Sequence, residues 1–491
     1  MTAALFQYIR PSQYIRSSAA SFIALLLIAS VGTDASRAAN VAEDGDFQAA
    51  TRLFSAWIED QIAYRGIPGI VVGVVSDDDL VWTQTYGHAD LEASRPMTVD
   101  TRFRMASHSK LFTATAIMQL REQGKLRLDD PVQDYLPWFS VIPSDESDPP
   151  ITIEHLLTHS SGLPREAGPH WSDRNFPTAE EFRTLTPDRQ AAYPPETRWK
   201  YSNYAYTLAG MVVEAVSGVD WSAYLQANIF APLGMSASTV DVEDPLLATG
   251  YGRRMPDGGR EVMPFVDARS MAAATGLSST VGDMAKFVSA QFREGARGGD
   301  RLLSTASLRE MHRVRMLENN WKRGQGLGFS VMRVGEDLHI GHGGGYPGYT
   351  THTRIHMDGG VGVIVLTNTN DSYPSRISEQ LMKTVGRAAI KAKEEDPDLA
   401  WDPAWARFAG LYRSPWSDTR VVLMNEQLVL LRGGSLEIDT DVSLRPIGGD
   451  RFVMQAPLGG STVGEIVRFI EVDGEVTRMI TGDSFATRVS R

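Results

Sequence analysis

The sequence predicts a protein of the mixed α/β (α+β) class in two folded parts: helices and antiparallel strands over residues 40–390, and a small antiparallel β part over 405–491. Three observations carry that expectation. Leu111 to Leu120 is a run of good helix formers, apolar nearly all round, as a buried helix requires. Tyr349 to His356 and Val361 to Leu366, joined by the turn Asp358-Gly359-Gly360, read as a hairpin. After residue 405, short alternating segments such as Arg420 to Met424 and Gln427 to Leu431 are separated by glycine and aspartate turns, the pattern of antiparallel strands.

In chain order, residues 1–39 come first and read as a signal peptide. Arg10 and Arg16 precede the apolar stretch Phe22 to Ala29, and Ser36-Arg37-Ala38 offers a small-x-Ala cleavage site near Ala38/Ala39. That stretch is too short to span a bilayer comfortably, so cleavage leaves no stable membrane span. A main domain over 40–390 follows, then a linker over 391–404 that opens with the charged, proline-containing Lys391 to Asp398. The small β domain closes the chain. At 491 residues and 42% hydrophobic composition, the chain can bury a sizeable core and exceeds the usual size of a single domain.

Composition also excludes chemistries. There is no cysteine, hence no disulfide, thiolate metal site, cysteine nucleophile or lipid-anchor cysteine; export without disulfides suits a bacterial periplasm or the medium. The formal charge of −12 argues against nucleic-acid binding, and loss of the leader, which carries Arg10, Arg16 and Arg37 against Asp34 alone, makes the remainder more acidic. Neither a Gly-x-Ser-x-Gly elbow nor a His-Glu-x-x-His zinc motif is present. His352 and His356 share a strand face near Asp358, but Arg354 lies between them, and a cation beside a metal is unfavourable. His155 and His159, four apart on an expected helix, have no matching carboxylate. Both histidine pairs are read as structural; no metal and no cofactor is expected.

Ser107-His108-Ser109-Lys110 is the only Ser-x-x-Lys in the chain. A serine hydroxyl is a weak nucleophile without a base in hydrogen-bond reach, and positions i and i+3 of a helix share a face, so Lys110 can serve Ser107. At a helix N-terminus the free N–H groups and the dipole favour an oxyanion, and burial pushes a lysine toward its neutral, basic form. Alone, the motif also fits an N-cap serine and a solvated lysine. Tyr201-Ser202-Asn203 follows a loop holding Pro194 and Pro195 and precedes a helical run from Ala205 to Ser217. A tyrosine at that junction can relay a proton if a nearby lysine lowers its pKa, and Asn203 can donate its amide to a substrate carbonyl. In His342-Gly343-Gly344-Gly345 the glycines allow a substrate backbone close approach, with His342 on the strand bordering the cleft.

With these three motifs in place the chain resembles the serine β-lactamase and penicillin-binding-protein superfamily, in its class C β-lactamase, D-Ala-D-Ala carboxypeptidase, D-aminopeptidase and esterase branch. The resemblance covers roughly residues 48 to 390. It includes Gly66-Ile67-Pro68-Gly69, Phe103 to Ser107, Ile151 to Leu163 and Gly276 to Thr280. It implies an antiparallel sheet flanked by helices, an all-helical subdomain and a lipocalin-like C-terminal module. It implies Ser107 as the acylated nucleophile, Lys110 as its proton partner and Tyr201 as the second acid/base. Asn203 and His342 are implied as substrate ligands, with Gly344 and Gly345 in the oxyanion region beside the N–H of Ser107.

One departure is visible. β-Lactamases and carboxypeptidases of this group carry Lys-Thr-Gly where His342-Gly343-Gly344 stands, and a largely neutral histidine grips a substrate carboxylate less well. The expectation is therefore an exported peptidase of short or D-residue-containing peptides, with linearised microcystin one concrete candidate because bacterial hydrolases of that peptide resemble this pattern. Ester and then β-lactam hydrolysis follow as alternatives, and a non-catalytic penicillin-binding-like sensor or scaffold is the alternative of another class. The oligomeric state is not legible in the sequence.

Overall fold

The computed structural model describes residues 41–292, 302–318, 321–334, 337–394, 401–424, 427–432, 442–455 and 464–489; the expected signal peptide lies outside them. The chain divides into two compact units, Met1–Lys393 and Glu394–Arg491.

The first unit is built on an antiparallel sheet. In chain order its strands are β1 (Gly69–Ser76), β2 (Asp79–Asp90), β3 (Arg95–Pro96), β4 (Met316–Leu317), β5 (Arg323–Gln325), β6 (Ser330–Val334), β7 (Asp337–Tyr346), β8 (Tyr349–His356) and β9 (Val361–Thr367). They are hydrogen-bonded in the order β3-β2-β1-β9-β8-β7-β6-β5-β4. The expected hairpin is β8–β9, with Thr353 opposite Ile364.

The central strands read as unbroken apolar runs because both faces are covered. Side chains alternate across the sheet, so Ile70, Val72 and Val74 of β1 join Val361, Val363 and Val365 of β9 in one core. Phe47, Phe54 and Ile58 of helix α1 (Gly45–Arg65) and Ile377 and Leu381, on a helix that follows the sheet, cover that face. Val71, Val75, Ile364 and Leu366 point the other way, into the larger core of the helical part.

That helical part is centred on α2 (Ser109–Glu122), whose residues from Ser109 to Leu120 are all buried, as its all-round apolar composition predicts. It packs beside α3 (Asn203–Ser217); α4 (Val281–Ser289) and α5 (Pro374–Leu381) are among the later helices of the unit. Ser202 caps α3 by accepting the N–H of Ala205 at 2.9 Å, and Gly218 ends it at φ 76°.

Two details differ from expectation. The helix holding His155 is only Ile153–Leu157; His159 lies past its end at φ 58°, so the two histidines do not share a helical face. The segment read as the start of a linker is helical through Arg387–Glu394, because Ala389 and its neighbours continue the apolar stripe that covers the sheet.

The second unit is a closed barrel of eight strands between Gly410 and Arg488, each paired antiparallel with the next and the last with the first. Leu428, Leu444, Phe452, Val467 and Phe469 fill it, and Phe408 stacks on Phe469 at 4.4 Å. Closure pairs every strand edge. Among the described residues no helix is long and apolar enough to cross a membrane.

Candidate active site

Ser107 lies in a tight helical turn, Ala106–His108, that leads directly into α2. Ala106 is held at φ 50°, a conformation that costs a non-glycine residue about 1 kcal/mol and persists only where surroundings enforce it. Here the enforcement is visible: Met105 donates its N–H to the Leu277 carbonyl at 2.7 Å, and Ser109 Oγ donates to the Ala106 carbonyl at 2.8 Å while accepting the Leu277 N–H at 2.9 Å. The strand Leu277–Ser279 thus staples the turn from both sides of Ser107.

Lys110 Nζ is 3.2 Å from Ser107 Oγ and 2.7 Å from both Asn203 Oδ1 and the Ala274 carbonyl. Burial drives its pKa well below the usual lysine value; the carboxylate of Glu166 opposes that and Arg165 adds to it. A neutral amine has two N–H groups and one lone pair. Asn203 Oδ1 and Ala274 O accept the two hydrogens, which leaves the lone pair for the proton of Ser107.

Tyr201 donates its hydroxyl to Ser107 Oγ at 2.7 Å. The condition set for a proton relay, a lysine that lowers the tyrosine pKa, is not met: burial raises it, and the hydrogen bond to Ser107 and the nearby Arg165 only partly offset this. Tyr201 is therefore a proton donor in the resting site. Its ring rests on His159, 4.4 Å between centroids, and His159 Nδ1 accepts the Ser202 N–H at 3.2 Å, so the histidine past the short helix props the tyrosine.

Asn203 is 3% exposed. With Oδ1 on Lys110, it donates Nδ2 to Glu166 Oε1 at 2.7 Å, and one amide hydrogen remains for a substrate carbonyl. Glu166 also holds His170 Nε2 at 3.0 Å and Arg165 Nε at 3.1 Å. Burial alone would raise its pKa, yet hydrogen bonds from His170, Trp171 and Asn203 hold it below the ordinary value, so it carries a negative charge one residue removed from Lys110. Neither Glu166 nor Arg165 stood out in the sequence. The only available signal was their place directly after the Ser160-Ser161-Gly162-Leu163 stretch.

His342 lies on β7 opposite Thr353, 6.5 Å between ring centroids from Tyr201 and 6.0 Å from His108. Burial, reinforced by His108 and Lys110, pushes its pKa down to about 3, so the ring is neutral at physiological pH. Gly344 brings β7 against the nucleophile turn: a Cβ there would sit 2.3 Å from the Met105 carbonyl oxygen and 2.4 Å from Thr351 Oγ1. At Gly345 a Cβ would meet nothing within 4 Å, so this part of the strand faces open space. The structure thus gathers Ser107, Lys110, Tyr201 and Asn203 into one hydrogen-bonded group, with His342 and the glycines on the strand beside it.

The remaining histidines lie elsewhere. His155 Nδ1 accepts the Thr152 N–H at 3.1 Å in a capping box. His352 Nδ1 meets Ser378 Oγ at 2.8 Å. His356 instead gathers with His339 and Asp337, their possible ligand atoms within 4.8 Å of one another. His356 Nδ1 accepts the Gly359 N–H at 2.8 Å, which puts the proton on Nε2, 3.3 Å from Asp337. That nitrogen offers a proton to the carboxylate and has no lone pair free for a metal.

The family model described as Beta-lactamase matches residues 54–381. The chain is 24% identical over 416 residues to penicillin-binding protein 4* of Bacillus subtilis, covering 77% of this chain and 86% of that protein. It is 35% identical over 222 residues to esterase EstB of Burkholderia gladioli, covering 42% of this chain and 56% of that one. A D-stereospecific amidohydrolase from Streptomyces sp. superposes with a TM-score of 0.55 at 25% identity, over 65% of this chain and 94% of that structure.

Proposed function

The chain belongs to the beta-lactamase family, whose serine hydrolases include penicillin-binding, esterase and D-amidohydrolase relatives, and from that premise we propose an exported hydrolase that acts through a Ser107 acyl-enzyme on amide bonds of short or D-residue-containing peptides. The observation that carries the reading is the placement of Ser107 Oγ between Lys110 Nζ at 3.2 Å and the Tyr201 hydroxyl at 2.7 Å.

In the proposed sequence, neutral Lys110 takes the Ser107 proton as Oγ attacks the substrate carbonyl, and the N–H groups of Ser107 and Gly345 receive the oxyanion. Tyr201 passes its proton to the leaving nitrogen as the C–N bond breaks, and regains one from Lys110. Water then attacks the ester at Ser107, the same groups returning the proton to Oγ. Asn203 holds a second carbonyl of the substrate, apart from the one attacked, with its remaining amide hydrogen.

The neutral His342 favours amides and esters over β-lactams, because it gives the carboxylate of a penicillin or cephalosporin no cation. Similarity to an esterase supports ester hydrolysis as the second reading. A scaffold that lacks turnover has no need of Ser107, Lys110 and Tyr201 together.

A fluorophosphonate probe should add one covalent label at Ser107, located by peptide mass mapping, and Ser107→Ala should abolish it. Labelling that survives the substitution removes the assignment. A panel of short D- and L-peptides, linearised microcystin, p-nitrophenyl esters and a chromogenic cephalosporin then ranks the substrate classes, and efficient cephalosporin turnover by the wild type overturns the ranking.

A further inference from the structure

Arg165 is the cation at the open side of this site. Its guanidinium carbon lies 5.1 Å from the centroid of the Tyr201 ring, and its Nε is 3.1 Å from Glu166 Oε1. Those two contacts anchor the group. The side chain is nevertheless 66% exposed, and among the described residues neither Nη has a hydrogen-bond partner. A guanidinium anchored over an aromatic ring, with its terminal fork turned to solvent, can take a planar anion through two parallel hydrogen bonds.

The surrounding charge points the same way. Lys200 donates to the Leu163 carbonyl at 2.6 Å, and burial first and Arg165 second lower its pKa. Arg165 likewise adds to the lowering of Lys110. With Lys110 neutral, the cations Arg165 and Lys200 face the single carboxylate of Glu166, which leaves one positive charge in excess here in a chain whose net charge is −12. The neutral His342 supplies no such charge.

We propose that Arg165 forms a carboxylate subsite beside Tyr201, so that the preferred substrates carry an anionic group on the leaving-group side of the scissile bond. The side follows from the proposed function, on which this rests: Tyr201 delivers its proton to the leaving group, and Arg165 lies on the ring of Tyr201. A peptide with a D-Glu-like or free terminal carboxylate past the cleaved bond has the right chemistry.

The test uses two esters of N-acetylglycine that differ only in the leaving phenol, 3-carboxyphenyl and 3-carbamoylphenyl, with the full chain. The wild type should show a kcat/KM about tenfold or more higher for the carboxylate, the scale of a charge-assisted hydrogen-bonded pair. Arg165→Gln should bring the ratio near one, and Arg165→Lys, which keeps charge but not the fork, should retain part of it. A wild-type ratio near one, an unchanged ratio in Arg165→Gln, or loss of the preference only in Lys200→Gln each overturns the subsite. None of those outcomes touches the Ser107 mechanism, whereas ester hydrolysis that persists in Ser107→Ala removes the mechanism and this inference with it.

Discussion

At Lys110 three acceptors compete for one amine, and the protonation state decides what the group can do. As an ammonium it donates to Ser107, Asn203 and Ala274; as an amine it keeps the last two and turns a lone pair to Ser107. Burial favours the amine. Lys110→Ala and Tyr201→Phe should each lower kcat by at least ~10²-fold with the fold intact, checked by steady-state kinetics beside circular dichroism. Glu166 permits a sharper test. Its negative charge stabilises protonated Lys110 and so raises that pKa, while neutral Lys110 is the working base, so activity falls as pH drops through the Lys110 pKa. Glu166→Gln removes the charge, and the acid limb of the kcat/KM profile should move to lower pH; an unmoved limb, or one shifted upward, would show that Glu166 does not act on Lys110. At His342 the substitution to lysine should improve kcat/KM for a cephalosporin relative to an uncharged ester, since it places a cation where a neutral ring now stands.

At the scale of elements, the site is a turn clamped between a helix and a strand. The staple from Leu277 holds Met105 and Ser109, on either side of Ser107 in the chain, and β7 closes on the turn because Gly344 has no side chain to collide with Met105 and Thr351. Gly344→Ala should therefore push β7 from the turn, lowering kcat at least ~10-fold, the scale expected for misplacing groups around a reacting centre, and lowering Tm. Normal turnover in that variant would mean the strand is not part of the oxyanion region. The helix α2, the hairpin β8–β9 and the junction at Tyr201 were legible because each has a local signature: apolar residues all round, a glycine turn between β-rich runs, prolines before a capped helix. Glu166 and Arg165 were not legible. They sit on a loop without periodicity, and only the fold brings that loop against Asn203 and Tyr201. The end of the helix at Leu157 was missed for a related reason, since the αL turn at His159 serves tertiary contacts with Tyr201 and Ser202 that no local propensity encodes.

For the whole molecule, alternating short strands after residue 405 announced β structure, but not that eight of them close on themselves, because closure depends on pairing the first strand with the last, Tyr412 with Arg488. Closure gives this unit a core of its own, with Phe408 buried against Phe452 and Phe469, while the first unit rests on separate cores around α2 and on the outer face of β1 and β9. Two units whose cores share no residue should unfold as two cooperative events. Phe408→Ala removes a fully buried ring from the barrel at a cost of about 3–5 kcal/mol, which for a unit of this size lowers its Tm by roughly 10 °C or more. Scanning calorimetry of the full chain should then show one transition displaced downward and the other in place, with fluorophosphonate labelling of Ser107 retained at temperatures between the two. A single transition that moves as a whole, together with loss of labelling at its midpoint, would mean that the hydrolase unit depends on the barrel for its fold.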